Sequence, residues 1–261
     1  MINLIKSDLY RLFRSKTYKG CAMGALGVTI FVLALAIFTD VELWIMSFTS
    51  DGIRRGFLIG LEQGAGFKEL LINALGSGAG LYIIGIVLTS SVIISRKRSG
   101  IMKTTVAYGY ERWKIYLSQL ISLIVGISVL IIGVFLSIFL ITSIVYNGFN
   151  IDSKNILLLI KSLILYISIV AATISIYALL ATLISNSEVI SVIAIAEILG
   201  LTMLEPALST KITSFIPYSM IRTLAQTPES VDFISYLLKV ILVIVVSTFL
   251  GVVVFKKKEI K

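Results

Sequence analysis

The 261-residue sequence contains no histidine, which removes the commonest general base and the commonest metal ligand together. It contains one cysteine, Cys21, so no disulfide can form within the chain. Charge is scarce as well. Only 14% of residues are charged, against roughly 25% in an ordinary soluble domain. With 57% hydrophobic residues and a mean hydropathy of +1.02, a polar shell for a soluble globule is missing and disorder is excluded. No G-x-x-x-x-G-K-[ST] loop occurs, so nucleotide phosphates are not cradled in the P-loop manner. Metal-ligand clusters and Ser/His or paired-Asp arrangements are missing too, which argues against an intramembrane enzyme.

What is present is a series of long apolar runs. A bilayer core of about 30 Å needs about 20 apolar residues in a helix. Six stretches meet this: about 20–39, 70–95, 115–146, 162–185, 189–208 and 235–255. The expected fold is therefore an all-α polytopic membrane protein in one domain. The third run is longer than a span requires and is expected to tilt or project. The second outer loop is expected at 147–161. The first, 40–69, is expected to carry a short helix, and Asn186-Ser187-Glu188 a hairpin turn. The stretch 209–235, with Ile212, Phe215, Ile216, Pro217, Met220, Ile221 and Leu224, is too apolar for a free loop. A short re-entrant or interfacial helix before the sixth span fits it.

The first 19 residues place Ile2, Ile5, Leu9, Leu12 and Phe13 at helical spacing, with Lys6, Arg11, Arg14 and Lys16 on the other side. This pattern predicts an amphipathic helix in the membrane interface, with Ile5, Leu9, Arg11 and Phe13 as its characteristic residues. A solvated basic tail is the competing reading. A cleaved signal peptide is not expected, because the first apolar run is too long for a signal h-region and no A-x-A-like site follows it.

The net charge of +9 reads as topology rather than nucleic-acid binding. With the N-terminus in the cytoplasm, inner segments hold Lys6, Arg11, Arg14, Lys16, Lys19, Arg96, Lys97, Arg98, Lys103, Arg112, Lys114, Lys256, Lys257, Lys258 and Lys261. Outer segments hold Arg54, Arg55, Lys68, Lys154, Lys161, Lys211, Arg222 and Lys239. The bias agrees with both termini inside, in a plasma membrane, in all expectation a bacterial one.

The most polar structured stretch is 96–119, RKRSGIMKTTVAYGYERWKIYLSQ. Ser99 is expected to cap a short helix reaching about Tyr108, and Gly109 to end it in a left-handed conformation. Two readings compete: a basic loop that only obeys the charge rule, and a rigid knob offering Ile101, Met102, Val106 and Tyr108 to a cytoplasmic partner.

SGIMKTTVAYGYERWKIYLSQLI resembles the corresponding segment of type-2 ABC exporter permeases, where a small-Gly pair leads a short helix and a charged turn leads the third span. The ending GVVVFKKKEIK is similar to that family's last span, and the basic amphipathic start and the Pro-containing segment before span six match as well. The resemblance covers the whole chain in topology. One departure stands out: family members often carry an acid four positions before the glycine that is Gly100 here, and this chain has Arg96, so a salt bridge usual in the family is absent or inverted. The resemblance implies a permease subunit that dimerises with a second copy or a paralogue and docks separate ATPase subunits, which hold the ATP and Mg²⁺. The chain itself is then no enzyme and binds no cofactor. Residues about 98–108 would be the coupling helix, with Ser99, Gly100, Ile101, Met102, Lys103, Thr104, Val106 and Tyr108 as contacts, and residues 2–16 the interfacial connecting helix. The implied cargo is an amphipathic or antimicrobial peptide, as in bacteriocin self-protection. Small hydrophobic drugs or lipids are the alternative.

Two acids, Glu197 and Glu205, fall inside the fifth run. A carboxylate there is expensive and faces protein, water or a partner. For Glu197 two readings stand open, a cargo-path group that contacts a cationic or polar part of the cargo and a protonated or hydrogen-bonded residue that packs spans together. Glu205 is a second candidate for the cargo path, but it is expected chiefly to pair with Lys161 or Lys239. Gly20/Gly24 and Gly76/Gly80 form G-x-x-x-G spacings, read as helix packing, and Cys21 reads as a small packed residue. A secondary transporter would show broken spans and buried ionisable groups in symmetric places. Glu197 has no counterpart in the first three runs.

Overall fold

The computed structural model describes residues 1–39, 43–50, 53–59, 66–145, 152–184, 186–204 and 210–257. Their elements run in the order α1 (Ile2–Arg14), α2 (Lys16–Thr39), β1 (Leu43–Ser50), β2 (Ile53–Ile59), α3 (Phe67–Gly76), α4 (Gly78–Arg98), α5 (Ile101–Ala107), α6 (Arg112–Val145), α7 (Ser153–Leu183), α8 (Ser187–Leu204), α9 (Thr210–Thr213), α10 (Pro217–Gln226) and α11 (Phe233–Lys257). Six helical stretches are long and apolar enough to cross a membrane, with α3 and α4 together forming the second. The chain is an all-α polytopic membrane protein with one small β-hairpin.

The helices pack around α7, which lies against α4, α6 and α11. Small residues make this close approach possible. Ala171, Ala172, Ala178 and Ala181 on α7 are buried, and the Ser175 and Ser247 hydroxyls meet at 2.7 Å between α7 and α11. In hydrocarbon such small faces and interhelical hydrogen bonds replace the water-driven burial of soluble cores, at about 0.6 kcal/mol for an average polar pair. Tyr166 of α7 donates to the carbonyl of Gly78 at 2.6 Å, fixing the start of α4. By contrast, the apolar windows of α2, α8 and α11 are only 22%, 17% and 17% buried, so these helices present most of their surface outward.

Several expectations need correction. In the segment 40–69, expected to carry a short helix, the described residues form an antiparallel hairpin followed by the first turn of α3. Ser50 pairs with Ile53 and Leu43 with Ile59, and a bulge between Ile45 and Phe48 accommodates Met46 at φ +48°. Helix α7 begins at Ser153, so most of the loop expected at 147–161 is helical. Lys154 and Lys161 lie on a continuous helix with the apolar run Ile156–Ile160 between them. The second run is divided at Ser77 into α3 and α4; Ser77 keeps helical angles (φ −59°, ψ −18°) and donates its hydroxyl to the Asn73 carbonyl at 3.1 Å. Helix α6 starts at Arg112 and spans 34 residues, about 51 Å at 1.5 Å per residue. It therefore exceeds the hydrocarbon thickness.

The glycine pairs also differ from a simple packing motif. A side chain at Gly20, Gly24 or Gly80 would meet nothing within 4 Å. Gly24 and Gly80 instead line an apolar groove of about 360 Å³ between α2 and α4, shared with Cys21, Ala25 and Thr29. Gly76 is the exception. A β-carbon there would sit 2.0 Å from the Leu58 carbonyl oxygen of β2, so the bare backbone of α3 is what lets the hairpin seat. Phe57, beside Leu58, is fully buried.

Gly76→Ala is expected to lift the hairpin, while Gly80→Ala leaves it seated. With Cys21→Ser as background, the thiol of Phe57→Cys should react with a maleimide at least tenfold faster when Gly76→Ala is added. An unchanged rate contradicts this account of the contact.

Candidate functional site

One end of the bundle collects α1, the last turn of α4, α5, the start of α6 and the end of α11. Arg96, Lys97 and Arg98 close α4, Arg11 and Arg14 close α1, and Lys256 and Lys257 close α11. Cations at helix C-termini are favoured by the backbone dipole. The Arg112 guanidinium donates to the Lys256 carbonyl at 3.1 Å, tying α6 to α11 there. The hairpin, α3 and α10 occupy the opposite end, where Gln226 donates to Gly56 at 3.0 Å and Lys68 pairs with Glu229 at 2.8 Å.

At the basic end lies a buried ion pair. Arg96 Nη1 stands 3.0 Å from Asp8 Oδ1, and both residues are about 6% exposed. Arg96 Nη2 also reaches the Asp8 main-chain oxygen at 3.3 Å, and the Ser118 hydroxyl donates to Asp8 Oδ2 at 2.6 Å. Three elements, α1, α4 and α6, thus meet on one carboxylate. Arg96, which stands where the resemblance led to an acid being expected, is thus paired with an acid of α1. Asp8 is the residue that sequence reasoning missed. Its signal was available, because Leu4, Asp8 and Leu12 recur every four residues and so share one helix face. On that face Leu12 is 2% exposed and Leu4 is half-buried.

Of the expected α1 residues, Ile5 and Leu9 are half-buried, whereas Arg11 and Phe13 are exposed. Phe13 packs edge-on against Tyr18 at 5.1 Å between ring centres, and Tyr18 donates to the Gly126 carbonyl of α6 at 2.9 Å. Helix α1 ends at Arg14, and Ser15 turns the chain into α2 by accepting from the Tyr18 N–H at 3.1 Å.

The segment after Arg98 is a rigid turn, helix and turn. Gly100 has φ +72° and Gly109 φ +84°, left-handed values that other L-residues adopt only at a cost of about 1 kcal/mol or more. Ser99 does not cap α5 as expected. It closes α4, donating to the Arg96 carbonyl at 3.3 Å, and the N-cap position belongs to Gly100. Met102 was expected to face a partner, but it is 1% exposed and anchors α5 to its own bundle. Ile101 and Val106 are half-buried. Lys103, Thr104 and Tyr108 are exposed, Tyr108 at 79%. Just beyond, Glu111 accepts from the Lys114 ammonium at 2.8 Å and from the Trp113 indole N–H. These two donors hold its carboxyl below the usual range, and the turn into α6 is fastened by them.

A polar cavity of about 290 Å³ opens between α1, α5 and α6. Asp8, Arg96 and Gln119 lie in its wall beside Arg11, Thr104 and Tyr108, so the ion pair borders the surface that α5 presents. Among the described residues no group of three or more His, Cys, Asp or Glu could hold a metal ion.

The second candidate, Glu197, is half-buried on α8. Its Oε1 accepts from Tyr82 of α4 at 3.1 Å and its Oε2 from Tyr177 of α7. Glu205 lies outside the described residues, and its expected pairing with Lys161 or Lys239 with it. Lys239 sits over the rings of Phe215 and Tyr236, at 5.6 Å from each centre.

Removing one partner of a buried ion pair leaves an uncompensated charge and costs about 3–5 kcal/mol. Asp8→Ala and Arg96→Ala should each lower the thermal midpoint of the detergent-solubilised protein strongly. The double variant should lose much less than the sum of the two. Additive losses in that cycle would show that the pair is not coupled. Comparison with protein-family models and with curated proteins finds no match for the chain.

Proposed function

We propose that the chain is the membrane-spanning permease subunit of an ATP-driven exporter whose ATPase is a separate polypeptide. The observation that carries this reading is the short helix α5, bounded by two left-handed glycines and anchored by Met102. It leaves Lys103, Thr104 and Tyr108 exposed at the basic end. A segment that took force from a soluble partner would need such a shape: stiff, pinned to several spans, with an exposed crest. The Asp8–Arg96–Ser118 contact supplies the pinning, because a push on α5 is delivered to α4, α6 and α1 together. The positive-inside bias puts this end in the cytoplasm, with both termini, and the membrane is a bacterial plasma membrane. In this arrangement α1 is the interfacial helix, α10 the short helix before the last span, and ATP and Mg²⁺ stay on the partner.

The outward apolar faces of α2, α8 and α11 fit a permease that associates with a second copy or a paralogue and is bathed in lipid for the rest. The cargo this reading favours is an amphipathic or antimicrobial peptide leaving the cell or the membrane. A second reading, export of a small hydrophobic drug or a lipid, draws on the apolar groove between α2 and α4, which is lined largely by apolar side chains and glycines.

The test is co-purification with the ATPase encoded beside the chain, followed by ATPase stimulation. Lys103→Glu combined with Tyr108→Ala should reduce stimulation at least tenfold. As both side chains are exposed, the fold should change by no more than about 0.5 kcal/mol. Full stimulation by the double variant, or no ATPase recovered with the wild-type chain, contradicts the proposal.

A further inference from the structure

We infer that Glu197, with Tyr82 and Tyr177, forms a membrane-embedded site for a primary ammonium group. Its source is a lysine side chain or free amine of an amphipathic peptide. The peptide assignment rests on the export reading, whereas the ammonium site stands on the geometry alone.

Glu197 is the eleventh residue of α8, about 15 Å along the helix at 1.5 Å per residue, and so close to its middle. The two phenols donate to different carboxylate oxygens, from two different helices. They orient the carboxylate but are themselves neutral. A carboxylate offers about four acceptor positions, so each oxygen keeps one for another donor. Glu197 is half-buried rather than sealed: on its own face of α8, Ile193 and Leu201 are half-buried too, and a side chain at Gly200, one turn on, would meet nothing within 4 Å. A carboxylate held at that depth and reachable from the side is matched by a cation that brings its own apolar body. An amphipathic amine is such a ligand.

The surroundings select an organic cation over a metal ion. Among the described residues the site holds one carboxylate, and its hydrogen-bond partners are phenol hydroxyls. Tyr82 stacks edge-on with Tyr218 of α10 at 5.8 Å between ring centres, and Tyr218 with Phe57 of β2 at 6.1 Å. The Tyr218 and Thr202 hydroxyls meet at 3.0 Å. Ring faces attract ammonium groups, so this seam of rings and hydroxyls links the carboxylate to the hairpin end.

The full chain in lipid nanodiscs, without any ATPase, is titrated calorimetrically with dodecylamine and with dodecanol, and empty nanodiscs provide the baseline. The wild-type chain should bind the amine at least tenfold more tightly than the alcohol. Glu197→Gln should bring the two within twofold, and Glu197→Asp should keep the preference. Equal binding by the wild-type chain, or an undiminished preference in a folded Glu197→Gln, overturns the site. A lysine-containing amphipathic peptide should displace dodecylamine and lose that ability once its amines are acetylated. Displacement by phosphatidylethanolamine but not by the peptide overturns the peptide assignment. Because no ATPase is present, failure here leaves the export reading intact, and failure to recover an ATPase leaves this site intact.

Discussion

Everything at the basic end depends on one carboxylate. Asp8 is buried with Arg96 and Ser118 at a place where three helices converge. Such a pair adds little net stability, since removing two charges from water offsets most of their attraction. Its effect is on register instead. Hydrophobic contacts tolerate sliding, whereas a buried guanidinium and carboxylate are satisfied only in one alignment. Helix α1, which would otherwise be held to the bundle by a narrow stripe of leucines, is locked to α4 and α6. The strain-tolerant glycines at 100 and 109 then let α5 leave α4 sharply and return to α6 within a dozen residues.

The membrane-embedded part follows a different rule. Without water, packing is driven by close approach and by hydroxyls that find partners within the bundle. The alanines of α7, the Ser175–Ser247 contact and Tyr166 on the Gly78 carbonyl all belong to this class. Glu197 belongs to it in part only. Its two phenol donors tie α8 to α4 and α7, yet the residue is only half-buried. The two readings that its sequence position left open are therefore compatible: the same hydrogen bonds that hold the helices also aim the carboxylate.

Much of the architecture was legible in the sequence because span length and charge placement are blunt signals. Among the described residues each of the six apolar runs is helical, the second interrupted at Ser77, and Gly109 takes the left-handed turn expected of it. What was missed depends on partners distant in sequence. The hairpin is an example. Asp51-Gly52 between LWIMSFTS and IRRGFLI is a two-residue hairpin signal, but in so apolar a chain the strands lack the polar alternation that marks them. Asp8 is another. An acid among basic neighbours looks like a solvated residue until Arg96 is seen beneath it. Ser99 was misassigned because Gly100 can cap with no side chain at all. The early start of α7 was hidden by Lys154 and Lys161, which a helix longer than the bilayer carries without penalty.

On the proposed reading, the crest of α5 faces the cytoplasm, where a separate ATPase pushes on it. The direct measurement is sidedness labelling of Lys103→Cys in a Cys21→Ser background, using a membrane-impermeant maleimide on intact cells and on inverted vesicles. The account predicts labelling of inverted vesicles only. Labelling of intact cells would put α5 outside and leave no place for a motor to act.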